Sequence, residues 1–162
     1  MNKIEVYGKK YNCDKVTHHE YHTLYDLFLR KYYDFSGNII EIGIESGKSL
    51  KMWLDVFPNS NIFGMDINKK LEGDRYKIFK YDQSKSKYLK MFKKNIQKDN
   101  LFLIVDDGSH IPEHQLLTFN SLFPLLIDGG VYIIEDIETS YWTKGGLYGY
   151  KTKYGYKHKN SI

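Results

Sequence analysis

Two acidic runs carry the clearest chemistry in this sequence: Asp106-Asp107-Gly108-Ser109-His110 and Glu135-Asp136. Each follows an apolar, strand-like run, Leu101–Val105 and Val131–Ile134. In adjacent parallel strands those ends would lie about 5 Å apart, so the carboxylates would converge. Convergent carboxylates repel one another unless a cation neutralises them. Oxygen donors suit Mg2+, with Ca2+ or Mn2+ as alternatives. Asp107, Glu135 and Asp136 are therefore read as metal ligands. The competing reading is that one or two of them cap helix N-termini. His110 is the candidate general base. A hydroxyl held by a cation has a lowered pKa, and a neighbouring imidazole can take its proton. His114, one helical turn further on, is the second choice.

A different chemistry is written in Glu41-Ile42-Gly43-Ile44-Glu45-Ser46-Gly47-Lys48-Ser49. Glycines 43 and 47 let the backbone turn tightly and approach a ligand closely. The pattern is E-x-G-x-x-x-G, neither the dinucleotide fingerprint nor a phosphate-binding P-loop. Glu41 can face the cationic amino acid end of S-adenosylmethionine, whereas it would repel a pyrophosphate. Asp66 ends the next apolar run, where an acid can bind ribose hydroxyls; a turn cap is its ordinary alternative. Glu41, Gly43, Glu45, Gly47, Ser49 and Asp66 form the first part of the candidate cofactor site.

These residues need a scaffold that presents strand ends side by side, and the sequence alternates accordingly. Short apolar runs at Asn38–Gly43, Asn61–Asp66, Tyr76–Tyr81, Leu101–Asp106 and 131–135 read as five strands. Helical stripes lie between them: Leu50, Trp53, Leu54 and Phe57 up to Pro58, then Tyr88, Leu89, Phe92 and Ile96, then Leu116, Phe119 and Phe123 after Pro112. Thr17 to Glu20 fits a capping box opening a helix that runs to about Tyr33. The expected fold is α/β: a Rossmann-like, doubly wound, mainly parallel sheet with helices on both faces. Ligands in such sheets bind beyond the C-terminal strand ends, where Glu41, Asp66, Asp82, Asp106, Asp107, Glu135 and Asp136 all fall.

The sequence has 162 residues, 41% hydrophobic and 27% charged, which suits one globular domain. No apolar run is long enough to span a bilayer, and the start has no signal-peptide segment. The expectation is a soluble, cytoplasmic protein with no membrane partner. Cys13, alone and among polar residues, is not read as a nucleophile. The net charge is +4, with lysines clustered at 85–98 and 144–159, but arginine occurs only at positions 30 and 75. Nucleic acid is thus set aside as the main partner. Residues 147–162 form a Gly/Tyr/Lys-rich tail after a domain spanning 1–146.

Taken together, several motifs resemble one family. They are Asp14-Lys15 with His19 and Tyr21, Glu41-Ile-Gly43, Asp66-Ile67, Asp82-Gln83-Ser84, Asp106-Asp107-Gly-Ser-His110, Phe123-Pro124, Gly129-Gly130, Glu135-Asp136 and Thr139-Ser140-Tyr141-Trp142. The family is the class I S-adenosylmethionine-dependent methyltransferases that include macrolide sugar O-methyltransferases of the mycinamicin and macrocin type and cephalosporin hydroxylase-like proteins. The resemblance implies Mg2+-dependent methyl transfer to a hydroxyl of a deoxysugar on a small molecule. It implies His110 as base and Asp107, Glu135 and Asp136 as metal ligands. It adds Asp82, Gln83 and Asp106 to the cofactor pocket, with Asp82-Gln83 near the adenine, and implies that the 14–21 segment closes over the site. Glu45 and Ser46 depart from the small residues common there. A full fold of this class has seven strands against the five counted, so the sheet is expected to lack its last strands, and self-association is one way to cover the edge. Two other readings compete: a non-catalytic binding module on a shortened methyltransferase fold, and a nicotinamide-dependent oxidoreductase.

Overall fold

The computed structural model describes residues 1–141 and the backbone of 146–147 and 150–151. Six strands form one sheet: β1 Asn38–Ile42, β2 Asn61–Asp66, β3 Leu71–Gly73, β4 Tyr76–Lys80, β5 Leu101–Asp106 and β6 Val131–Ile134. Their order is β3-β4-β2-β1-β5-β6. All neighbours pair in parallel except β3, which folds back antiparallel onto β4. Every residue of β1 and β5 is buried, as strands at the centre of a doubly covered sheet must be. Strand order reverses between β1 and β5, which opens a crevice above their C-terminal ends.

Two cores flank the sheet. One packs Ile39, Ile62, Leu103 and Val105 against Trp53, Phe57, Tyr25 and Leu29. The other packs Ile40, Ile42, Met65 and Ile104 against Leu89, Phe92 and Leu122. Neighbouring β1 residues thus serve opposite faces, as the two-residue strand period requires. Glu41 follows the face of Ile39 and lies among Trp53 and its neighbours. The helices are α1 Lys3–Tyr11, α2 Asp14–Thr17, α3 His22–Leu29, α4 Lys48–Val56, α5 Ser86–Asn95 and α6 Pro112–Leu122. α4 stops before Pro58 and α6 starts on Pro112, as the sequence predicts.

Three features differ from the sequence reading. The first is at 17–20, where no capping box forms. Thr17 closes α2, its hydroxyl donating to the Cys13 carbonyl at 3.0 Å. Glu20 takes a left-handed backbone (φ 56°), and α3 begins only at His22. The second is α1, capped by Asn2, whose side chain accepts from the Glu5 amide at 3.0 Å. It packs against α2 and α4, and at Gly8 a Cβ would overlap Val16. The third is β3, three exposed residues whose pairing adds an edge to the sheet. β6 is the other edge strand of this sheet. No helix among the described residues is long and apolar enough to cross a membrane. The 147–162 tail falls outside the described residues apart from the backbone already named.

Candidate cofactor cavity and acidic cluster

A cavity of about 1000 Å3 opens above the C-terminal ends of β1, β2, β4 and β5. Its volume is at the upper end of the range for small-molecule and cofactor sites. Gly43 shapes its floor. It has a φ of +83°, and a Cβ there would overlap the Asp107 carbonyl, so the β1 turn meets the β5 turn only because the side chain is missing. The Asp107 amide donates to the Ile42 carbonyl at 2.9 Å and fastens the same two turns together. Gly47 (φ 78°) opens α4 without lining the cavity itself. Glu45 and Ser49 do line it.

Asp66 stands on the cavity wall, and its carboxylate accepts four backbone N–H groups. Ile44 and Glu45 donate to one oxygen at 3.0 and 3.1 Å, Asn68 and Lys69 to the other at 2.7 and 2.9 Å. Burial would raise its pKa, but the four donors outweigh burial and hold it below the ordinary value. Asp66 thus ties the β1 and β2 turns together. Asp82 lines the same wall and accepts from the Ser84 amide at 2.9 Å.

Gln83 lines the cavity and is also bonded within the protein. Its amide nitrogen donates to Asp106 and Thr118, both at 3.1 Å, and its carbonyl accepts from the Ser109 amide at 2.8 Å. A Cβ at Gly108 would overlap that carbonyl. Gln83 therefore pins the loop that carries His110. Asp106 and Glu41, both expected to touch the cofactor, lie fully buried behind the cavity wall. Burial pushes each carboxyl up to about 7. Glu41 accepts from the Trp53 indole at 3.0 Å, and its second oxygen has no partner.

At the far end of the cavity, Asp107, His110 and Asp136 each offer a ligand atom, all within 4.8 Å of one another. His110 Nε2 sits 3.9 Å from a carboxylate oxygen of Asp107 and 3.9 Å from one of Asp136. Both His110 and Asp136 have left-handed backbones, φ 54° and 52°. Such conformations are uncommon outside glycine and survive only where surrounding contacts enforce them. Thr139 supplies one such contact by donating to the His110 carbonyl. Burial lowers the pKa of His114, whose Nδ1 lies 2.9 Å from the Ser109 hydroxyl on the cavity wall.

Glu135 is not in this triad. Its carboxylate pairs with Lys15 at 2.9 Å and accepts from the Tyr25 hydroxyl. Burial raises its pKa against the pull of Lys15. Lys15 is only 2% exposed and donates to Asp107 as well. Burial opposes its charge, yet Glu135, Asp107 and Glu41 together raise its pKa. In the chain itself this ammonium is paired with two of the three converging carboxylates, Asp107 and Glu135. The sequence reading placed Lys15 in the segment over the site but gave it no charge partner. Nothing in the spacing of residue 15 points to Asp107, 92 positions away. Tyr21, also on that segment, has its hydroxyl beside Asp136. Cys13 is buried, and burial pushes its thiol up to about 12, consistent with no nucleophilic role.

No family model matches the chain. Curated relatives do. Mycinamicin VI 2''-O-methyltransferase of Micromonospora griseorubida is 35% identical, over 73% of this chain and 31% of its own length. L-olivosyl-oleandolide 3-O-methyltransferase of Streptomyces antibioticus is 36% identical, over 73% and 32%. Demethylmacrocin O-methyltransferase of Streptomyces fradiae is 33% identical, over 73% and 32%. The fold agrees. MycE methyltransferase of the mycinamycin pathway, solved with Mg and SAH, superposes with a TM-score of 0.79 at 31% identity, over 86% of this chain and 38% of that one. The chain is a homologue of the macrolide sugar O-methyltransferases. It carries the Rossmann-like fold of the class I S-adenosylmethionine-dependent methyltransferases. It spans about a third of the length of the curated relatives it matches.

Proposed function

We propose that this chain provides the catalytic fold of an S-adenosylmethionine-dependent O-methyltransferase that acts on a hydroxyl of a sugar, a deoxysugar above all, carried by a small molecule. The observation that carries this reading is the placement of His110. Its Nε2 stands 3.9 Å from both Asp107 and Asp136, at the end of a cavity floored by the Gly43 turn. One solved form of the MycE methyltransferase holds Mg, SAH and mycinamycin VI together, which supports the same ligand classes here.

The residues fit such a group. The carboxylate oxygens of Asp107 and Asp136, with ligand atoms within 4.8 Å of each other and of His110, suit a hard divalent cation such as Mg2+. Asp107 and Asp136 would hold it, and Glu135 would join them only by loosening its hold on Lys15. Once bound, the cation would supply Lewis-acid polarisation of the acceptor hydroxyl. His110 then accepts the hydroxyl proton at Nε2 while the methyl group passes from sulfur to oxygen. Gln83 and Thr139 keep the His110 loop where that proton leaves. The turn from Gly43 to Ser49, with Asp66 and Asp82, would receive the cofactor, and Glu41 and Asp106 would act from behind the wall. The nicotinamide-dependent and non-catalytic readings are not favoured by these relatives.

Calorimetry with S-adenosylmethionine, S-adenosylhomocysteine and NADH, each with and without Mg2+, tests the reading. Binding of the adenosyl sulfur ligands and not of NADH is expected. NADH binding alone, or no binding by any of the three, refutes it.

A further inference from the structure

Lys15 is a full positive charge sealed into the chain, held by a four-residue helix against two strand ends. A buried ammonium costs several kcal/mol unless paired, and Lys15 is paired twice, with Asp107 and Glu135. Fully buried Glu41 lies close enough to add a third negative charge when it ionises. The partners come from different elements: Asp107 follows β5 and Glu135 follows β6. One ammonium therefore draws the ends of both strands and the N-terminal segment to a single point beside the Asp107–His110–Asp136 cluster.

We propose that Lys15 is the resident cation of this acidic site. It is a positioning residue that holds Asp107 and Glu135 in place in the metal-free chain and moderates how tightly a divalent cation binds beside it. The second half rests on the divalent-cation reading above; the first half does not. A positive charge paired directly with a ligand carboxylate opposes an incoming cation, and by Coulomb's law at a protein-like dielectric two charges held roughly 4 Å apart interact strongly enough that its removal strengthens binding by well over tenfold before solvent screening. Its removal also leaves two carboxylates facing each other without a counter-ion.

The test uses the whole chain and the variants Lys15→Met and Lys15→Arg. Melting is followed in EDTA, and Mn2+ affinity is read from the electron-spin resonance of the free ion. Lys15→Met is expected to melt about 10 °C lower in EDTA. It should bind Mn2+ about tenfold more tightly and recover most of the lost stability when saturated with it. Lys15→Arg, which keeps the charge, should stay within about threefold of the parent in Mn2+ affinity. A Lys15→Met chain that melts in EDTA within about 2 °C of the parent, or that binds Mn2+ no better, overturns the proposal. Should Lys15→Met fail to fold in EDTA, Lys15→Met/Glu135→Gln decides. Removing both partners of a buried pair costs less than removing one, so the double variant is expected to fold where the single one does not. A double variant no more stable than the single one overturns the proposal. Failure of the EDTA arm leaves the methyltransferase reading standing. A parent chain that binds no Mn2+ overturns the moderating role and counts against the divalent-cation reading.

Discussion

Glu41 makes folding of this chain sensitive to pH in a direction opposite to the usual behaviour of carboxylates. It is fully buried, and burial raises its pKa from 4.5 to about 7 even with Lys15, Trp53 and Ser49 pulling the other way. One unit is about 1.4 kcal/mol, so ionising Glu41 in the folded chain costs about 3 kcal/mol more than in the unfolded chain. Because the folded value is the higher one, the folded state holds the proton more tightly. The carboxyl costs nothing below about pH 4.5, costs progressively more as the pH rises toward 7, and reaches the full amount above that. Glu41→Gln keeps the shape and the acceptor for Trp53 and removes the charge. Urea unfolding at pH 5 and pH 8, both in EDTA, reads the effect. Between those pH values the parent is expected to lose about 2–3 kcal/mol that the variant keeps, a shift of about 1–2 M in the relative urea midpoints. Asp106 and Glu135 titrate in both proteins, so the difference between the two isolates Glu41. Parallel pH curves for parent and variant would show that Glu41 is not held protonated, and the reasoning would fail.

Three further outcomes are expected. His110→Ala should lower turnover by about 10²–10⁴-fold while cofactor affinity stays within a few-fold; a variant that keeps most of its rate, assayed on a deoxysugar acceptor, removes His110 as the base. EDTA should abolish turnover and Mg2+ should restore it, so metal-independent methyl transfer would remove the cation from the chemistry. Gly43→Ala should cost about 1–3 kcal/mol in stability, because its Cβ meets the Asp107 carbonyl at a backbone φ of +83°, and calorimetry should show weaker S-adenosylhomocysteine binding; unchanged melting and binding would mean the two turns can part freely.

Much of the fold is legible because its strands obey one rule. Runs such as Leu101–Val105 are apolar throughout, and a strand that is apolar on both sides needs cover on both faces. The proline signals at 58 and 112 worked because they are local: a missing N–H and a fixed φ act within one turn. The errors fall where local signals were ambiguous. Thr17 and Glu20 have the right spacing for a capping box, but the fourth residue took a left-handed turn and the hydroxyl bonded backward to Cys13. β3 has no apolar pattern to read, since all three residues are exposed and only the β4 ladder holds them.

The site divides the same way. Asp107, His110 and Asp136 converge because strand ends in a parallel sheet must, and that convergence follows from sheet geometry alone. Which way each carboxylate turns does not follow. Glu135 and Asp136 are neighbours in sequence, so their side chains diverge, and one joins His110 while the other turns inward to Lys15 and Tyr25. Glu41 and Asp106 likewise sit near strand ends at the cavity, yet they turn to opposite faces of the sheet and lie buried behind its wall, where Trp53 and Gln83 receive them. Position along a strand says that an acid reaches the site; because both faces of the sheet are covered, the parity of that position says only which core it would enter, not whether it meets the ligand. A partner such as Lys15, reached only through the folding of an N-terminal segment over the sheet, is beyond any spacing rule. For that reason the ammonium that pairs with Asp107 and Glu135 had to come from three-dimensional structure.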